Sequence, residues 1–184
     1  MGSHEDFLRR AVPLTCRRNS APEIPVNKSQ LIKKIVDHLI SELEIYFKAA
    51  RAAHAEATHE QSKAENKYDT RGLEASYLAR GQSRQAAEIE HAIAQFQKLP
   101  LREFSAADPI DLGALVELHA KGNKSLYFIG PRAGGTEIIA EEKEILVITP
   151  QSPLGQQLVG KQQGERLNLE IAGSRSEYHI ASVS

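Results

Sequence analysis

Apolar residues recur at alternating intervals of four and three over two long stretches of the first hundred residues. Neither proline nor glycine interrupts the first stretch between Lys28 and Gly72, and Leu99-Pro100 ends the second. This heptad spacing turns one face of an α-helix toward a partner helix, so the pattern predicts two helices. Their predicted seams are Ile32, Val36, Leu39, Leu43, Tyr46, Ala50, Ala53 and Ala57, then Ala75, Ala79, Gln82, Ala86, Ile89, Ile93 and Phe96.

The two seams match when the helices fold back on each other in antiparallel orientation. Large side chains such as Leu39 and Phe96 then meet at one end, and alanines meet near the turn. With some 30 residues in each arm, the rod would be about 45 Å long. The alternative is a coiled coil that joins two chains, but the mirrored gradient from large to small residues favours an intramolecular hairpin.

A polar stretch, residues 59–72, separates the two helices. It contains acids, bases, amides and one aromatic residue, Tyr68. We expect this stretch to form the tip of the hairpin.

Beyond Pro100 the pattern changes to short runs that are typical of β-strands. In the middle of this region, Ser152 followed by Pro153 has the N-cap and first-turn pattern of a short helix, which Gly160 ends. Gly164 then permits a tight turn into the next strand. The predicted strands are residues 114–118, 126–130, 144–149, 166–171 and 178–183.

These elements predict an α+β chain: an antiparallel helical hairpin followed by a small antiparallel β-sheet domain with one short helix. Three prolines and no sustained periodicity indicate a poorly ordered N-terminal extension. The expected divisions are this extension (1–26), the hairpin (27–99, with its tip at 59–72), a linker (100–109) and the sheet domain (110–184).

Composition narrows the classes of function. The formal net charge of −1 gives no overall basic field for nucleic acid, and tryptophan is absent. One cysteine, Cys16, excludes an internal disulfide framework and agrees with a cytoplasmic location. No run reaches the roughly 18 apolar residues of a membrane span. The glycine-containing loop at 130–135 lacks the lysine and hydroxyl ending of a P-loop.

Two segments resemble the bacterial GreA/GreB transcript cleavage and elongation factors. Residues 148–165 are similar to a segment of the C-terminal domain of those factors and read ITPQSPLGQQLVGKQQGE. EQSKAENKYD, residues 60–69, is similar in looser form to the tip of their hairpin. The resemblance extends over most of residues 28–184 and implies that the second domain is FKBP-like.

The resemblance also implies a function. The C-terminal domain would dock at the rim of the secondary channel of RNA polymerase, and the hairpin would enter that channel. Acids at the tip would help hold a Mg²⁺ ion of the polymerase active site, which hydrolyses the 3′ end of backtracked RNA. The chain would then be a cytoplasmic, monomeric accessory factor and not an enzyme. It would have no metal or cofactor of its own, and it would meet nascent RNA indirectly.

The same resemblance assigns the candidate residues. Glu65 aligns with a tip acid, whereas Ser62 stands where the family has an aspartate, so Asp69 or Glu60 would supply the second carboxylate. Nearby bases would contact RNA, contact polymerase or balance local charge. These bases are Lys63, Lys67 and Arg71, and the docking residues implied for the C-terminal domain are Ser152, Pro153, Leu154 and Gly155.

Other functions remain open at this point. The altered tip favours a regulator that occupies the secondary channel and modulates polymerase without cleavage. An FKBP-like domain also raises prolyl isomerisation, although Tyr127, Phe128 and Tyr178 alone form a poor aromatic pocket. The remaining alternative is a coiled-coil adaptor with no role in transcription. Arg51, Arg80 and Arg84 could follow nucleic acid along the helices, but a solvated helix face is the simpler interpretation.

Overall fold

The computed structural model describes residues 26–58, 71–120, 122–171 and 174–184. Two long helices lie at the N-terminal side, α1 (Lys28–Thr58) and α2 (Arg71–Gln97). The predicted N-terminal extension up to residue 25 and residues 59–70 of the predicted tip lie outside the described residues. The two helices pack against each other, as the sequence predicted.

The hairpin seam changes in size along its length. Near the start of α1, Leu39 is buried together with Ile89 and Phe96 of α2. Farther along, the buried residues are Ala53 and Ala86. Alanines at these positions allow a closer approach of the two helix backbones than the large side chains at the base.

Within the described residues, six strands form one sheet in the order β3-β4-β2-β1-β6-β5. A short helix, α3 (Pro153–Leu158), follows β4 and matches the predicted helix. The strands are β1 (Leu115–Ala120), β2 (Asn123–Ile129), β3 (Glu137–Ala140), β4 (Lys143–Ile148), β5 (Arg166–Ile171) and β6 (Ser174–Val183).

The sheet is mixed, which corrects the prediction of a purely antiparallel sheet. Strands β2 and β4 are parallel, with Leu126 opposite Ile145, whereas the other neighbouring strands are antiparallel. The reason is β3, a four-residue strand that the sequence did not predict. The chain leaves β2, runs back along the outer edge as β3, and returns as β4 between them, so β4 runs in the direction of β2.

Each face of the sheet carries its own core. The base of the hairpin covers one face, where Phe128 and Val147 pack with Leu31 and Ile35 of α1. Helix α3 and the segment after α2 cover the other face. That second core is made of Phe104, Ile110, Ala114, Val116, Leu118, Tyr127, Ile129, Ile148, Leu158, Leu167, Ile180 and Val183.

Candidate functional site

The predicted tip residues that could act chemically fall outside the described residues. These are Glu60, Lys63, Glu65, Lys67 and Asp69. Arg71 is the first residue of α2, and its side chain is also outside the described set. The structure therefore defines how the two helices lead to this segment, and the assignments within it remain predictions.

The helices extend well beyond their contact with the sheet domain. Lys34 Nζ donates a hydrogen bond to the carbonyl oxygen of Ile139 in β3 at 2.8 Å. Packing on the sheet continues to Leu39, and α1 runs on to Thr58, so the part beyond Leu39 measures roughly 28 Å at about 1.5 Å per residue. Helix α2 accompanies it, with Ala86 buried in the seam. The chain between them, residues 59–70, connects the ends of this shaft.

Two further polar links fix the base of the shaft to the sheet domain. Glu88 of α2 forms an ion pair with Arg132 in the loop after β2, with 3.3 Å between Oε2 and Nη1. Glu141, in the turn between β3 and β4, accepts a hydrogen bond from the backbone N–H of Asn27 at 3.2 Å. Asn27 also accepts the N–H of Gln30 on its side chain, which makes it the N-cap of α1.

The turn that carries Glu141 is held in an unusual conformation. Glu141 and Glu142 have φ values of 51° and 62°, in the left-handed region where two-residue hairpin turns usually place asparagine and glycine. Glu141 Oε2 is buried without a hydrogen-bond partner among the described atoms, while Oε1 bonds Asn27. The carboxylate therefore lies at the N-terminus of α1, where negative charge is favoured.

A buried lysine joins the start of α1 to the segment that follows α2. Lys28 is only 7% exposed, and its Nζ donates to the carbonyl oxygen of Arg102 at 2.6 Å. The ammonium lies 4.7 Å from the centre of the Phe104 ring, within the range of a cation–π interaction. Burial lowers the pKa of Lys28, and the nearby charge of Glu103 opposes that effect.

The four predicted docking residues have clear structural roles. Ser152 is the N-cap of α3, because its Oγ accepts from Gly155 N at 3.0 Å and donates to the Thr149 carbonyl at 2.7 Å. Pro153 starts the helix, and Leu154 packs against the core of that face. A side chain at Gly155 would place its Cβ 1.9 Å from the Thr149 oxygen, so only glycine fits. Their docking role stays a prediction.

The aromatic residues considered for an isomerase pocket do not share one site. Tyr127 and Tyr178 belong to the core beneath α3, whereas Phe128 lies on the opposite face against the hairpin base. Alternation along β2 causes this separation, because successive side chains of a strand point to opposite faces.

Sequence reasoning missed several residues that position the shaft. Leu31, Ile35 and Ala92 are buried although they fall outside the predicted seams, because they face the sheet as well as the partner helix. The roles of Glu141 and Arg132 could not be predicted from the sequence pattern. Each residue lies in a turn or loop and contacts a helix that is distant in the sequence.

Helix α2 exposes one aromatic and two basic side chains. Tyr77 is 64% exposed on α2, and Arg80 and Arg84 on the same helix are exposed as well.

Among the described residues, no group of three or more histidine, cysteine, aspartate or glutamate side chains is placed to hold a metal ion. No helix in the described ranges is both long and apolar enough to span a membrane.

Comparison with solved structures finds, among others, the following chains that are similar to this one. GreA factor homolog 1 of Thermus thermophilus is 21% identical, with 81% of this chain and 94% of that chain covered and a TM-score of 0.34. Gfh1 of Thermus aquaticus is 22% identical, with 80% of this chain and 92% of that chain covered and a TM-score of 0.36. A GreA/GreB elongation factor of Nitrosomonas europaea is 14% identical, with 61% of this chain and 92% of that chain covered and a TM-score of 0.32.

Sequence comparison adds no relative to these. No protein-family model matches the chain, and no curated protein matches it. With TM-scores below 0.5 and identities below 25%, the structural matches carry no conclusion about activity.

Proposed function

We propose that the chain is a Gre-like factor that binds bacterial RNA polymerase and inserts its helical hairpin into the secondary channel. The observation that carries the proposal is the shaft itself. Two paired helices continue past the last link to the sheet domain, and α2 runs roughly 26 Å from Glu88, which pairs with Arg132, back to Arg71. The segment between the helices contains the acids Glu60, Glu65 and Asp69. A narrow, anchored rod with a polar end is suited to deliver side chains into an enclosed site on a larger partner.

The base of the hairpin supports this function mechanically. A rod that positions carboxylates must not pivot freely on its domain, because a small rotation at the base moves the far end by several ångströms. Glu141, Arg132 and Ile139 of the sheet domain each bond a different position of the hairpin. Apolar packing of Leu31 and Ile35 on the sheet adds to these links.

The tip would then act on polymerase chemistry. When bound, the second Mg²⁺ of the polymerase active site supplies an activated water and stabilises the leaving oxygen. Glu65, with Asp69 or Glu60, would provide carboxylate oxygens, which are the ligands that Mg²⁺ prefers. Lys63, Lys67 and Arg71 would contact RNA or polymerase. The chain would supply no complete active site of its own.

A second function is favoured by one residue. Ser62 stands where the resembled family carries an aspartate, and a hydroxyl cannot replace a carboxylate as a metal ligand of that charge. In this form the protein would occupy the channel and modulate RNA synthesis without stimulating cleavage.

Cleavage of backtracked RNA by purified polymerase separates the two functions. Stalled complexes with end-labelled RNA are incubated with wild type, Glu65→Ala, or the control Glu44→Ala, which removes an exposed acid from α1. Short 3′ products with wild type and Glu44→Ala, but not with Glu65→Ala, support cleavage stimulation. Slower synthesis without 3′ products supports the modulator. Failure of wild type to bind polymerase would overturn both.

A further inference from the structure

The hairpin base covers one part of its face of the sheet, and polar side chains occupy the neighbouring part. Along β1, Leu115 is buried with the hairpin base, and the alternate residues after it, Glu117 and His119, point to the same face. In β6, Ser182 lies opposite Glu117 and His179 lies opposite His119. We call this set of polar residues the sheet groove: Glu117, His119, Lys124, His179 and Ser182.

Two cavities lie over the sheet groove. The larger has a volume of about 480 Å³, and its lining includes Val26, Glu117 and Ser182. The smaller has a volume of about 340 Å³, and its lining includes His119 and Lys124. Glu117 Oε1 lies 2.5 Å from His119 Nε2, so the two cavities adjoin along β1.

Glu117 is the buried acid of the sheet groove. Its side chain is only 11% exposed, whereas its partners His119 and Lys124 are 38% and 56% exposed. A buried carboxylate is costly unless it is well paired. Arginine is the residue best suited to such a pair, because its guanidinium donates two parallel hydrogen bonds to a carboxylate. The groove therefore suits a polypeptide that carries arginine.

The start of α1 leads the chain's own N-terminal segment to this groove. Val26 lines the larger cavity and packs against the core between hairpin and sheet, so the chain enters α1 from the rim of the groove. The 25 residues before Val26 lie outside the described residues, and their sequence includes the arginine pairs Arg9-Arg10 and Arg17-Arg18. We propose that residues 1–25 bind in the sheet groove of the same chain, with the pair Arg17-Arg18 at Glu117.

The length of the segment agrees with this placement. Arg17 stands nine residues before Val26, which gives it a reach of at most about 30 Å. Strands β4 and β6, on either side of β2 and β1, are roughly 15 Å apart at about 4.8 Å per strand spacing. Arg17-Arg18 closes a shorter loop than Arg9-Arg10, and a shorter loop costs less entropy.

The tether favours the chain's own segment over a free ligand. A segment attached beside its site has an effective concentration in the millimolar range. A free peptide of the same sequence would have to reach that concentration to compete. This inference does not involve RNA polymerase, so it can fail while the proposed function stands.

The test uses Cys16, the single cysteine of the chain, which lies in the segment. A nitroxide on Cys16 of the full isotope-labelled chain broadens nearby amide signals, and reducing the nitroxide gives the reference spectrum. Arg17→Ser/Arg18→Ser removes two charges from the segment. The matched control, Arg51→Ser/Arg84→Ser, removes two exposed charges from the hairpin. Neither variant changes a residue of the sheet groove.

We expect the nitroxide to reduce the amide signals of Glu117, His119 and Ser182 at least fivefold, and those of α3 on the other face less than twofold. In Arg17→Ser/Arg18→Ser the loss of signal in the groove should fall at least twofold, and the control should match the unsubstituted chain. Equal broadening on both faces, no broadening in the groove, or an unchanged pattern in Arg17→Ser/Arg18→Ser would overturn the inference.

A mixed sample identifies the chain that supplies the segment. It combines isotope-labelled chains without nitroxide and nitroxide-bearing chains without isotope. Undiminished signals of the groove in this mixture support binding within one chain. Broadening there would place the segment of a second copy in the groove and overturn the inference.

Discussion

The backbone N–H of Asn27 donates to Glu141 Oε1 at 3.2 Å, which joins the first turn of the hairpin to a turn of the sheet 114 residues later. The carboxylate sits at the N-terminus of α1, where the helix dipole stabilises negative charge. A single contact thus caps the helix and fixes it to the other domain.

Removing this contact is expected to destabilise the protein. Glu141→Ala loses both the hydrogen bond and the charge, at a cost of about 1 kcal/mol, whereas Glu141→Gln keeps an acceptor and costs less. Glu142→Ala is the control, because Glu142 shares the left-handed conformation and is exposed. Urea unfolding measures all three variants, and equal loss in Ala and Gln variants would show that the charge alone matters.

Gly155→Ala is expected to be severely destabilising. The new Cβ would lie 1.9 Å from the carbonyl oxygen of Thr149, and neither backbone segment can move without breaking the Ser152 cap. Overpacking against backbone should cost about 3 kcal/mol or more. Thermal unfolding near the wild-type midpoint would contradict the close approach.

Gly81→Ala is expected to have the opposite effect. Gly81 lies inside α2, and a Cβ there would meet no atom within 4 Å. Alanine reduces the conformational entropy of the unfolded chain and should stabilise the protein by about 0.5–1 kcal/mol. Denaturant unfolding measures the change, and a loss of stability would contradict the open space around Gly81.

Lys28 is expected to make stability depend on alkaline pH. Its folded pKa is lowered from 10.5, chiefly by burial, so between the lowered value and 10.5 the unfolded chain binds the proton more strongly. Unfolding free energy should therefore rise with pH through that window. Lys28→Met should lack this rise and the exposed control Lys33→Met should keep it. Unfolding curves at a series of alkaline pH values measure the difference, and parallel curves for wild type and Lys28→Met would contradict it.

Local patterns predicted the elements that depend on nearby residues. Heptad spacing located both long helices, and Ser152-Pro153 located α3 with its cap. The acids assigned to the tip, such as Glu65, came from family resemblance and lie outside the described residues, so they stay predictions.

What the sequence could not supply depends on contacts between distant segments. Strand β3 has four residues, too few for a period to be recognised, and its edge position sets the parallel pairing of β2 and β4. Leu31 and Ile35 belong to a second apolar face of α1, and this face is buried only because the sheet packs against it. The ion pair of Glu88 and Arg132 likewise joins two residues that look like ordinary surface charges.

Strand β1 lies between β2 and β6, with Val116 opposite Val183 and Leu115 bonded to Ser184 through both backbone groups. During synthesis on the ribosome, the hairpin has emerged long before β6 exists. Until β2, β3 and β4 have followed, the apolar side of the hairpin base around Ile35 has no cover, and the sheet stays incomplete until β6 pairs with β1. The nascent chain therefore exposes this apolar helix face to water until the sheet has been synthesised.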